Sequence, residues 1–284
     1  MSGAADDDRF LGIERLYGRA GRQRLADSHV MVVGLGGVGS WTVEALVRTG
    51  IGRMTLVDLD EICVSNSNRQ LHTLTSTIGQ SKAEALAERM AQISPSCDVR
   101  AVVAFFTARN ADVLLDAGSA VQANVDGAAT TVAGAGRPDL VVDAIDSLRS
   151  KAVLVAACRE RAIPVVVCGG AGGRRDPLAL RSGDLSVSGH DGLLRSLRQA
   201  LRRDHALPAL GPWHIPAVWS IEPQVWPTAD GCIVSTRPEN SAATRLDCAD
   251  GFGAATMVTG TFGFALAALA VDALLNAAPR PRQA

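Results

Sequence analysis

Three glycines with regular spacing follow an apolar run near the start of the chain. The segment Val30–Val33 leads directly into Gly34, Gly36 and Gly39 with no polar residue between. The run is typical of a buried strand, and this glycine spacing lets the backbone turn tightly and approach a phosphate. The helical pattern of Trp41–Thr49 would direct free N–H groups and a partial positive charge at the turn. The pattern predicts a nucleotide-phosphate site; a tight structural turn is the alternative.

A carboxylate follows the second predicted strand. Arg53–Val57 has the apolar pattern of a buried strand and ends at Asp58, which lies 19 residues after Gly39. At that distance an acid reaches the ribose hydroxyls of a nucleotide bound at the glycine turn. The preceding glycine turn disfavours the alternative, an acid that merely ends a strand.

Polar side chains crowd the segment after Asp58, where a simple dinucleotide-binding unit needs only a connecting loop. The predicted ligand contacts are Asp60, Asn68, Arg69 and Gln70. Lys82 then begins a predicted helix that runs to about Ile93. A lysine in the first turn opposes the helix dipole, which indicates an anionic partner, although a solvated surface lysine remains the alternative.

Two further acids end the predicted fourth strand, Leu140–Asp146. They are Asp143 and Asp146. Because ligands of open α/β sheets collect outside the carboxyl ends of the strands, both acids belong to the same edge as Gly36 and Asp58. One of them could hold Mg²⁺.

Alternating strand and helix patterns define the fold class. Predicted strands at Val99–Phe105 and Pro164–Cys168 and a helix at Ser150–Arg161 complete an α/β, Rossmann-like, doubly wound and mainly parallel sheet with an additional C-terminal strand/helix region. Residues 9–276 are expected to form one domain, with a nucleotide-binding half at 9–173 and a substrate-binding and dimer half at 174–276. Residues 1–8 and 277–284 are expected to be disordered tails, and 118–137 a long flexible loop or insertion.

Composition excludes several classes of protein. Lys and Arg number 28 against 29 Asp and Glu, so no overall charge draws the chain to nucleic acid or membrane. The six cysteines include no Cys-x-x-Cys pair, which argues against a structural zinc site and a disulfide framework. The acidic N-terminus has no apolar core and is not a secretory signal. We expect a cytoplasmic protein with reduced thiols.

Positive charge is concentrated between residues 174 and 203. Seven arginines face three aspartates there, a local balance of about +4 in a chain of −1. A predicted helix at Leu193–Leu201 would present several of them on one side. The candidate RNA-phosphate contacts are Arg195, Arg198, Arg202 and Arg203; a merely solvated face is the alternative.

An uncharged run, Gly251–Val271, is long enough to span a bilayer. It contains several glycines and threonines and lacks flanking basic clusters. We therefore expect a strand-plus-helix core or dimer element, with no stable membrane span. A membrane-associated helix is the alternative.

The full set of polar residues distinguishes two kinds of nucleotide. A dinucleotide dehydrogenase would use the glycine turn and Asp58 but would give no role to Arg69 and Lys82, whereas a triphosphate gives both a role. With Asp146, this set resembles the ubiquitin-activating-enzyme-like superfamily, which includes the ThiF-like and MoeB-like proteins and adenylates carboxylates. The resemblance covers residues 9–93 and 140–173.

Within that superfamily the chain resembles the tRNA threonylcarbamoyladenosine dehydratase family. The matching stretches are Arg15–Gly18, Gly34–Ser40, Asp143–Ser147, Cys168–Gly173 and the long, specific Asp247–Thr259. Two departures are the insertion at 118–137 and the absence of a cysteine in Ala217–Ser220, where some members carry one.

The resemblance implies a substrate, a product and partners. The substrate would be tRNA bearing threonylcarbamoyladenosine beside the anticodon, which is cyclised at the expense of ATP. Relatives are homodimers, in which Arg15 would reach the ATP of the partner subunit. A cysteine desulfurase and its sulfur acceptor are further partners of the family.

The resemblance also assigns roles within the nucleotide site. Gly36 and Gly37 would approach the α-phosphate, with Gly34 and Gly39 shaping the turn. Arg69 and Lys82 would balance the β- and γ-phosphates as catalytic residues. The remaining assignments are Asp58 at the ribose, Asn68 and Gln70 at the phosphates, Asp60 and Asp143 at the nucleotide, and Asp146 as the catalytic Mg²⁺ ligand, with a monovalent cation as a further possible ion.

Two rival functions are compatible with parts of the sequence. An activator of a ubiquitin-like sulfur-carrier protein would adenylate the carrier's C-terminus and usually needs a transfer cysteine, for which Cys168, Cys232 and Cys248 are the candidates. A non-catalytic nucleotide-binding subunit would have lost Arg69, Lys82 or Asp146, and all three are present.

Overall fold

The computed structural model describes residues 8–116, 121–125, 128–132, 136–228, 230–236 and 252–277. Seven strands form the main sheet: β1 His29–Val33, β2 Arg53–Val57, β3 Asp98–Val102, β6 Leu140–Asp143, β7 Val165–Cys168, β8 Leu180–Asp184 and β9 Pro216–Ser220. The helices are α1 Leu11–Asp27, α2 Gly39–Arg48, α3 Lys82–Ile93, α4 Ala111–Leu115, α5 Leu148–Glu160, α6 Gly192–His205 and α7 Thr256–Asn276. Two short hairpins are also described: β4 Val121–Val125 with β5 Ala128–Val132, and β10 Trp226–Pro227 with β11 Ile233–Val234. Short 3₁₀ helices lie at Val64–Asn66, Pro177–Ala179 and Leu185–Val187.

The main sheet has the strand order β3-β2-β1-β6-β7-β9-β8. All its strands run parallel except the edge strand β8, which pairs antiparallel with β9. Helices cover both faces of the sheet. The predicted doubly wound, mainly parallel fold is confirmed.

The central strand β1 is buried on both faces. Val30 and Val32 pack into one apolar core with α2, α3 and α7, whereas Met31 and Val33 pack into the other with α5 and α6. Successive strand residues point to opposite faces, so an uninterrupted apolar run suits a strand covered on both sides. This burial places the end of β1, and the glycine turn after it, in the middle of the sheet edge.

The structure corrects the expectation for residues 118–137. Instead of a loop throughout, β4 and β5 form an antiparallel hairpin, with Val121 opposite Val132 and Val125 opposite Ala128. The sequence places Asp126 and Gly127 between the two strands, a dipeptide that favours tight hairpin turns. The segment's small residues conceal this strand pattern.

The uncharged run near the C-terminus contributes one continuous helix rather than a strand and a helix. Phe262, Leu266 and Ala270 of α7 are fully buried, and the helix packs on α2 and on strands β6, β7 and β9. Among the described residues, α7 is the one helix long and apolar enough to cross a membrane, with mean hydropathy 1.8, yet 56% of that window is buried inside the protein. The contacts are those of a core helix.

Some predicted element ends differ from the structure. Strand β6 ends at Asp143 instead of Asp146, because the Asp143 Oδ1 accepts a hydrogen bond from the N–H of Ile145 at 3.1 Å and turns the chain. The third strand covers Asp98–Val102 rather than Val99–Phe105. Residues 1–7 and 278–284 of the two predicted tails lie outside the described residues. Ala277, the first residue of the second predicted tail, is described, and its carbonyl accepts a hydrogen bond from Arg24.

Candidate functional site

The glycine turn lies between β1 and α2, at the carboxyl edge of the sheet. Gly34 has φ +89°, and a Cβ on Gly39 would lie 1.8 Å from the carbonyl oxygen of Gly34. Only glycine allows this turn to close. At Gly36, by contrast, the nearest atom to an added Cβ would be the Gln70 Nε2 at 3.8 Å, so the backbone there is open to a ligand. The predicted glycine turn is therefore present, and its backbone at Gly36 is accessible to a ligand.

The carboxylate of Asp58 supports this turn from the neighbouring strand. Its Oδ2 accepts a hydrogen bond from the N–H of Leu35 at 2.6 Å, and its Oδ1 accepts one from the N–H of Asp60 at 2.9 Å. Burial raises the pKa of Asp58, while the positive charge of Lys82 opposes that shift. The acid thus ties the glycine turn to the segment that carries Asp60.

Lys82 is buried at the first turn of α3. Its Nζ lies 2.8 Å from the Oδ2 of Asp60. Ser81 caps the helix by accepting a hydrogen bond from the N–H of Glu84. A buried ammonium at a helix N-terminus opposes the dipole there and favours an anion nearby. The surface-lysine alternative is excluded by this burial.

The segment containing Asn68 and Arg69 is held by side chains of helices α2 and α7. The backbone carbonyl of Arg69 accepts hydrogen bonds from the Trp41 Nε1 at 3.1 Å and from the Thr259 Oγ1 at 3.3 Å. The guanidinium of Arg69 donates to the Asn68 Oδ1 at 2.9 Å. An added Cβ on Gly37 would lie 3.3 Å from the Arg69 Cγ, so the arginine stem covers the glycine turn.

Two buried side chains beside Arg69 carry polar atoms without hydrogen-bond partners among the described residues. These atoms are the Gln70 Oε1 and both ring nitrogens of His72. Burial lowers the pKa of His72 to about 4, and nearby Lys82 contributes to the same shift. Buried polar groups are normally satisfied, so these unsatisfied atoms mark a place where a polar ligand or water completes the bonding.

The two acids after β6 have different environments. Asp143 is fully buried and pairs with the equally buried Lys151 at 3.0 Å. This placement argues against the direct nucleotide contact predicted for Asp143, because its carboxylate faces a lysine inside the protein. Asp146 is exposed, two residues beyond Ala144, whose backbone closely approaches Gly34. Of the two predicted acids, Asp146 is therefore accessible to a ligand.

The described residues contain no group of three or more His, Cys, Asp or Glu side chains that could hold a metal ion on their own. Magnesium in nucleotide sites is commonly held by one or two carboxylates together with substrate phosphates. Asp146, exposed at the sheet edge near the glycine turn, fits that mode of binding.

The predicted tRNA and partner-subunit residues lie apart from this group. Arg195, Arg198 and Arg202 lie along α6, where Arg202 lies 5.3 Å from the ring centroid of Trp213 and Arg198 donates to the Ser188 hydroxyl. Arg203 instead pairs with its neighbour Asp204. Arg15 is exposed on α1. The predicted helix is confirmed, with three arginines following one side.

The buried thiols are poorly suited to nucleophilic chemistry. Cys168 ends β7, and burial raises its pKa to about 12. Burial raises the pKa of Cys158 and Cys97 to about 12 as well. Cys63 and Cys232 are exposed, and Cys248 lies outside the described residues. A thiolate is the reactive form, so burial keeps Cys168 inert at neutral pH.

Sequence reasoning missed several residues that support the site. They are Trp41 and Thr259, which bond to the carbonyl of Arg69, Thr256, which bonds to the carbonyl of Asn68, and Lys151, which pairs with Asp143. A lysine within a helical pattern looks solvated, and nothing in the sequence signals that Lys151 is buried opposite Asp143. The threonines belong to the stretch Asp247–Thr259 that carries the family resemblance, which is the available signal.

Comparisons with known proteins agree with this geometry. The ThiF family model matches residues 8–282. The chain is 42% identical to tRNA threonylcarbamoyladenosine dehydratase of Escherichia coli, over 96% of this chain and 95% of that protein. The crystal structure of the E. coli enzyme in complex with ATP superposes with a TM-score of 0.77 at 40% identity, covering 94% of this chain and 93% of that one.

An adenylyltransferase with another name is a more distant relative. Molybdopterin-synthase adenylyltransferase of Salmonella typhimurium is 32% identical over 51% of each protein. The match to the E. coli dehydratase covers nearly the whole of both proteins, whereas this one covers about half of each. The chain therefore belongs to the ThiF family and, within it, to the tRNA threonylcarbamoyladenosine dehydratases.

Proposed function

We propose that this protein uses ATP to adenylate the threonyl carboxylate of threonylcarbamoyladenosine in tRNA, and so drives ring closure of that modified base. The observation that carries the proposal is that two cations border the glycine turn. The stem of Arg69 packs over Gly37, and the buried Lys82 pairs with Asp60, which is joined to the turn through Asp58. Two cations at one glycine turn suit a triphosphate better than a dinucleotide, whose two phosphates carry less charge.

The nucleotide would lie across the carboxyl ends of β1 and β2. Gly36 leaves the backbone open for the α-phosphate, which Gly37 would also approach, and the α2 N-terminus favours negative charge there. Asp58, tied to Leu35 and Asp60, is placed for the ribose. Arg69 and Lys82 would balance the β- and γ-phosphates, with Asn68 and Gln70 orienting them. Asp60 would then exchange its lysine partner for a share in ribose binding.

The proposed reaction has two steps. A carboxylate oxygen of the substrate attacks the α-phosphorus of ATP, so the new oxygen–phosphorus bond replaces the bond to pyrophosphate. The neighbouring ureido nitrogen or oxygen then attacks the acyl carbon, AMP leaves with the original carboxylate oxygen, and a proton is lost. The nucleophile is already tethered, so its effective concentration is high and no enzyme thiol is needed.

Mg²⁺ is a proposed component of this site. Asp146 would hold the ion together with phosphate oxygens, and the ion would supply charge compensation to the leaving pyrophosphate. A monovalent cation is a further proposed ion. The buried Asp143–Lys151 pair supports the turn that presents Asp146, since Lys151 also donates a hydrogen bond to the carbonyl of Ile145 at 2.8 Å.

The tRNA is proposed to lie along α6. Arg195 and Arg202 are exposed there, and burial and the charges of both arginines lower the pKa of Arg198. A run of mutually repelling cations is stabilised by a polyanion such as an RNA backbone. Arg203 contributes less to this proposal, because Asp204 already neutralises it.

The protein is proposed to act as a homodimer in the cytoplasm. Arg15 is exposed on α1 beside Leu16, whose side chain is 70% exposed. In the dimer Arg15 would reach the ATP of the partner subunit.

Mixing inactive Arg15→Ala and Arg69→Ala proteins should then restore activity that neither has alone, because one site of each mixed dimer is complete. Absence of complementation in mixed dimers would exclude a shared site. The association with a cysteine desulfurase and its sulfur acceptor stays a prediction of the resemblance.

Mass spectrometry of nucleosides from tRNA incubated with the protein tests the proposed activity. With ATP, threonylcarbamoyladenosine should lose the mass of one water, and AMP and pyrophosphate should form in equal amounts. Asp146→Ala should abolish this conversion, whereas the surface variant Asp98→Ala should retain it. Conversion without ATP, or activity of Asp146→Ala within about threefold of wild type at saturating Mg²⁺, would contradict the assignment.

The sulfur-carrier alternative makes a different prediction. A transfer cysteine would be trapped as a thioester with the carrier's C-terminus, and its loss would abolish activity. We expect Cys168→Ala, Cys232→Ala and Cys248→Ala to retain cyclisation, because the attacking group belongs to the substrate.

A further inference from the structure

A buried ion pair connects the glycine-rich loop after β7 with the start of α6. The loop is Gly169–Gly173, and the pair is Arg174 with Asp191, whose closest side-chain atoms are 3.5 Å apart. Each side chain is 1% exposed. Breaking a buried ion pair is costly, so these two residues hold their surroundings firmly.

The carboxylate of Asp191 bonds to both elements at once. Its Oδ1 accepts a hydrogen bond from the N–H of Leu194 at 2.8 Å, which caps α6. Its Oδ2 accepts one from the N–H of Gly170 at 2.9 Å. A Cβ on Gly169 would lie 2.5 Å from the same Oδ2, so the loop approaches Asp191 as closely as a glycine permits.

Arg174 completes the connection from the other side. Its Nε donates to the carbonyl of Gly170 at 3.2 Å, and its Nη2 donates to the carbonyl of His190 at 3.4 Å. Both backbone polar groups of Gly170 are therefore engaged by the pair. His190 has φ +57°, an unfavourable conformation for a side-chain-bearing residue, which the bond from Arg174 helps to hold.

The far end of the loop reaches the nucleotide site. The N–H of Gly173 donates to the carbonyl of Gly253 at 2.7 Å. The next residue, Ala254, accepts a hydrogen bond from the Asn68 Nδ2 at 2.8 Å. Asn68 in turn bonds to the guanidinium of Arg69. A continuous series of bonded residues thus joins the first turn of α6 to Arg69.

We propose that Arg174 and Asp191 are positioning residues, which fix the loop Gly169–Gly173 to the first turn of α6 and so hold Arg69 in register with substrate bound along that helix. This inference rests on the proposed function, since it assumes tRNA on α6 and ATP at Arg69. Neither residue needs to touch a substrate. A misplacement of about 1 Å between reacting groups can cost on the order of 10²-fold in rate, so the effect belongs in kcat.

Asp191→Ser tests the connection without removing the helix cap. Serine is a good N-cap but is too short to reach Gly170 as well. We expect kcat for cyclisation to fall at least about 10-fold, while the KM values for ATP and tRNA stay within about threefold of wild type. Arg174→Gln should behave likewise, and Arg174→Lys, which keeps the charge, should recover part of kcat.

Asp184→Ser is the matched control. Asp184 also caps a helix, the short Leu185–Val187, but its other hydrogen bonds come from the N–H groups of Trp213 and Ile215. The kcat of the Asp184→Ser variant should stay near that of wild type after correction for the folded fraction, which is measured by thermal melting. Unchanged kcat in folded Asp191→Ser and Arg174→Gln, or an equal loss in Asp184→Ser, would overturn the positioning role.

Hydrogen exchange separates this proposal from the proposed function. Peptides covering 168–174 and 66–72 should exchange faster in Asp191→Ser than in wild type or Asp184→Ser, whether or not the tRNA is cyclised. Equal exchange in all three proteins would overturn the connection. A wild-type protein that makes no cyclic product would instead contradict the proposed function.

Discussion

The Nζ of Lys82 lies 2.8 Å from the Oδ2 of Asp60, and the lysine side chain is only 7% exposed whereas the aspartate is 54% exposed. The lysine is therefore fixed inside the protein, while its partner stands at the surface and can adjust to a ligand. Asp60 is joined to Asp58 through its own N–H, and Asp58 is joined to the glycine turn. The positive charge is thereby set in place before any nucleotide binds.

Replacing the two cations of the site should remove most of the activity. We expect Arg69→Ala and Lys82→Ala each to lower the cyclisation rate by roughly 10²-fold or more, because each removes a donor to charge that develops during phosphoryl transfer. Arg53→Ala is a matched control, since Arg53 begins β2 at the opposite end of the strands and pairs with Asp98. Normal ATP-dependent product formation by both site variants would contradict a triphosphate site.

The buried Asp143–Lys151 pair should be a stability determinant. We expect Asp143→Ala to lower the free energy of unfolding in urea by about 3–5 kcal/mol, because it leaves the Lys151 ammonium buried without a counter-charge. The double variant Asp143→Leu with Lys151→Met should recover much of that loss. A single-variant effect below about 1 kcal/mol, similar to an exposed pair such as Arg53–Asp98, would show that the pair is not buried as described.

Stability should fall with decreasing pH partly because of His29. Burial lowers its pKa from 6.5 to about 4, with Arg53 adding to the shift. Between these two values the unfolded chain binds a proton that the folded protein does not, so stability is full above pH 6.5 and is lost as pH falls towards 4. His29→Gln should remove up to about 3 kcal/mol of this pH dependence. An identical slope in urea titrations of both proteins between pH 7 and 4 would contradict a neutral buried His29.

The arginines of α6 should affect tRNA binding and leave ATP binding unchanged. Changing Arg195, Arg198, Arg202 and Arg203 to glutamine should weaken tRNA binding and flatten its dependence on salt, by up to about one unit of slope for each arginine–phosphate interaction that the change removes. Arg203 should contribute least. A variant in which the four arginines Arg48, Arg53, Arg100 and Arg109 are glutamine controls for the change in net charge. Equal tRNA affinity and slope in wild type and the α6 variant would mean that this face is only solvated.

The fold and the nucleotide edge can be predicted because their signals are local. The glycine turn and Asp58 each follow an apolar strand, and parallel strands bring their carboxyl ends together at one edge. Lys82 begins a helix whose apolar spacing is equally local. The apolar Gly251–Val271 segment is harder to interpret, because a buried core helix and a membrane helix share length and composition. Its packing on β6, β7 and β9 distinguishes the two.

Long-range polar pairs cannot be predicted from local pattern. Lys151 is eight residues from Asp143 along the chain and Arg174 is 17 from Asp191, and no local pattern indicates that either pair is formed or buried. Burial of a charge depends on how helices cover the sheet, which the hydrophobic period does not specify. The same limit explains why the sequence pattern assigns Asp143 to the nucleotide although its carboxylate faces Lys151.

Oxygen transfer gives the most direct test of adenylation. The threonyl carboxylate of the modified tRNA is labelled with ¹⁸O, one turnover is run with ATP, and the nucleotide products are examined by mass spectrometry. Attack of the carboxylate on the α-phosphorus predicts that one ¹⁸O atom appears in AMP and none in pyrophosphate. Unlabelled AMP, or label in inorganic phosphate together with ADP, would contradict the account.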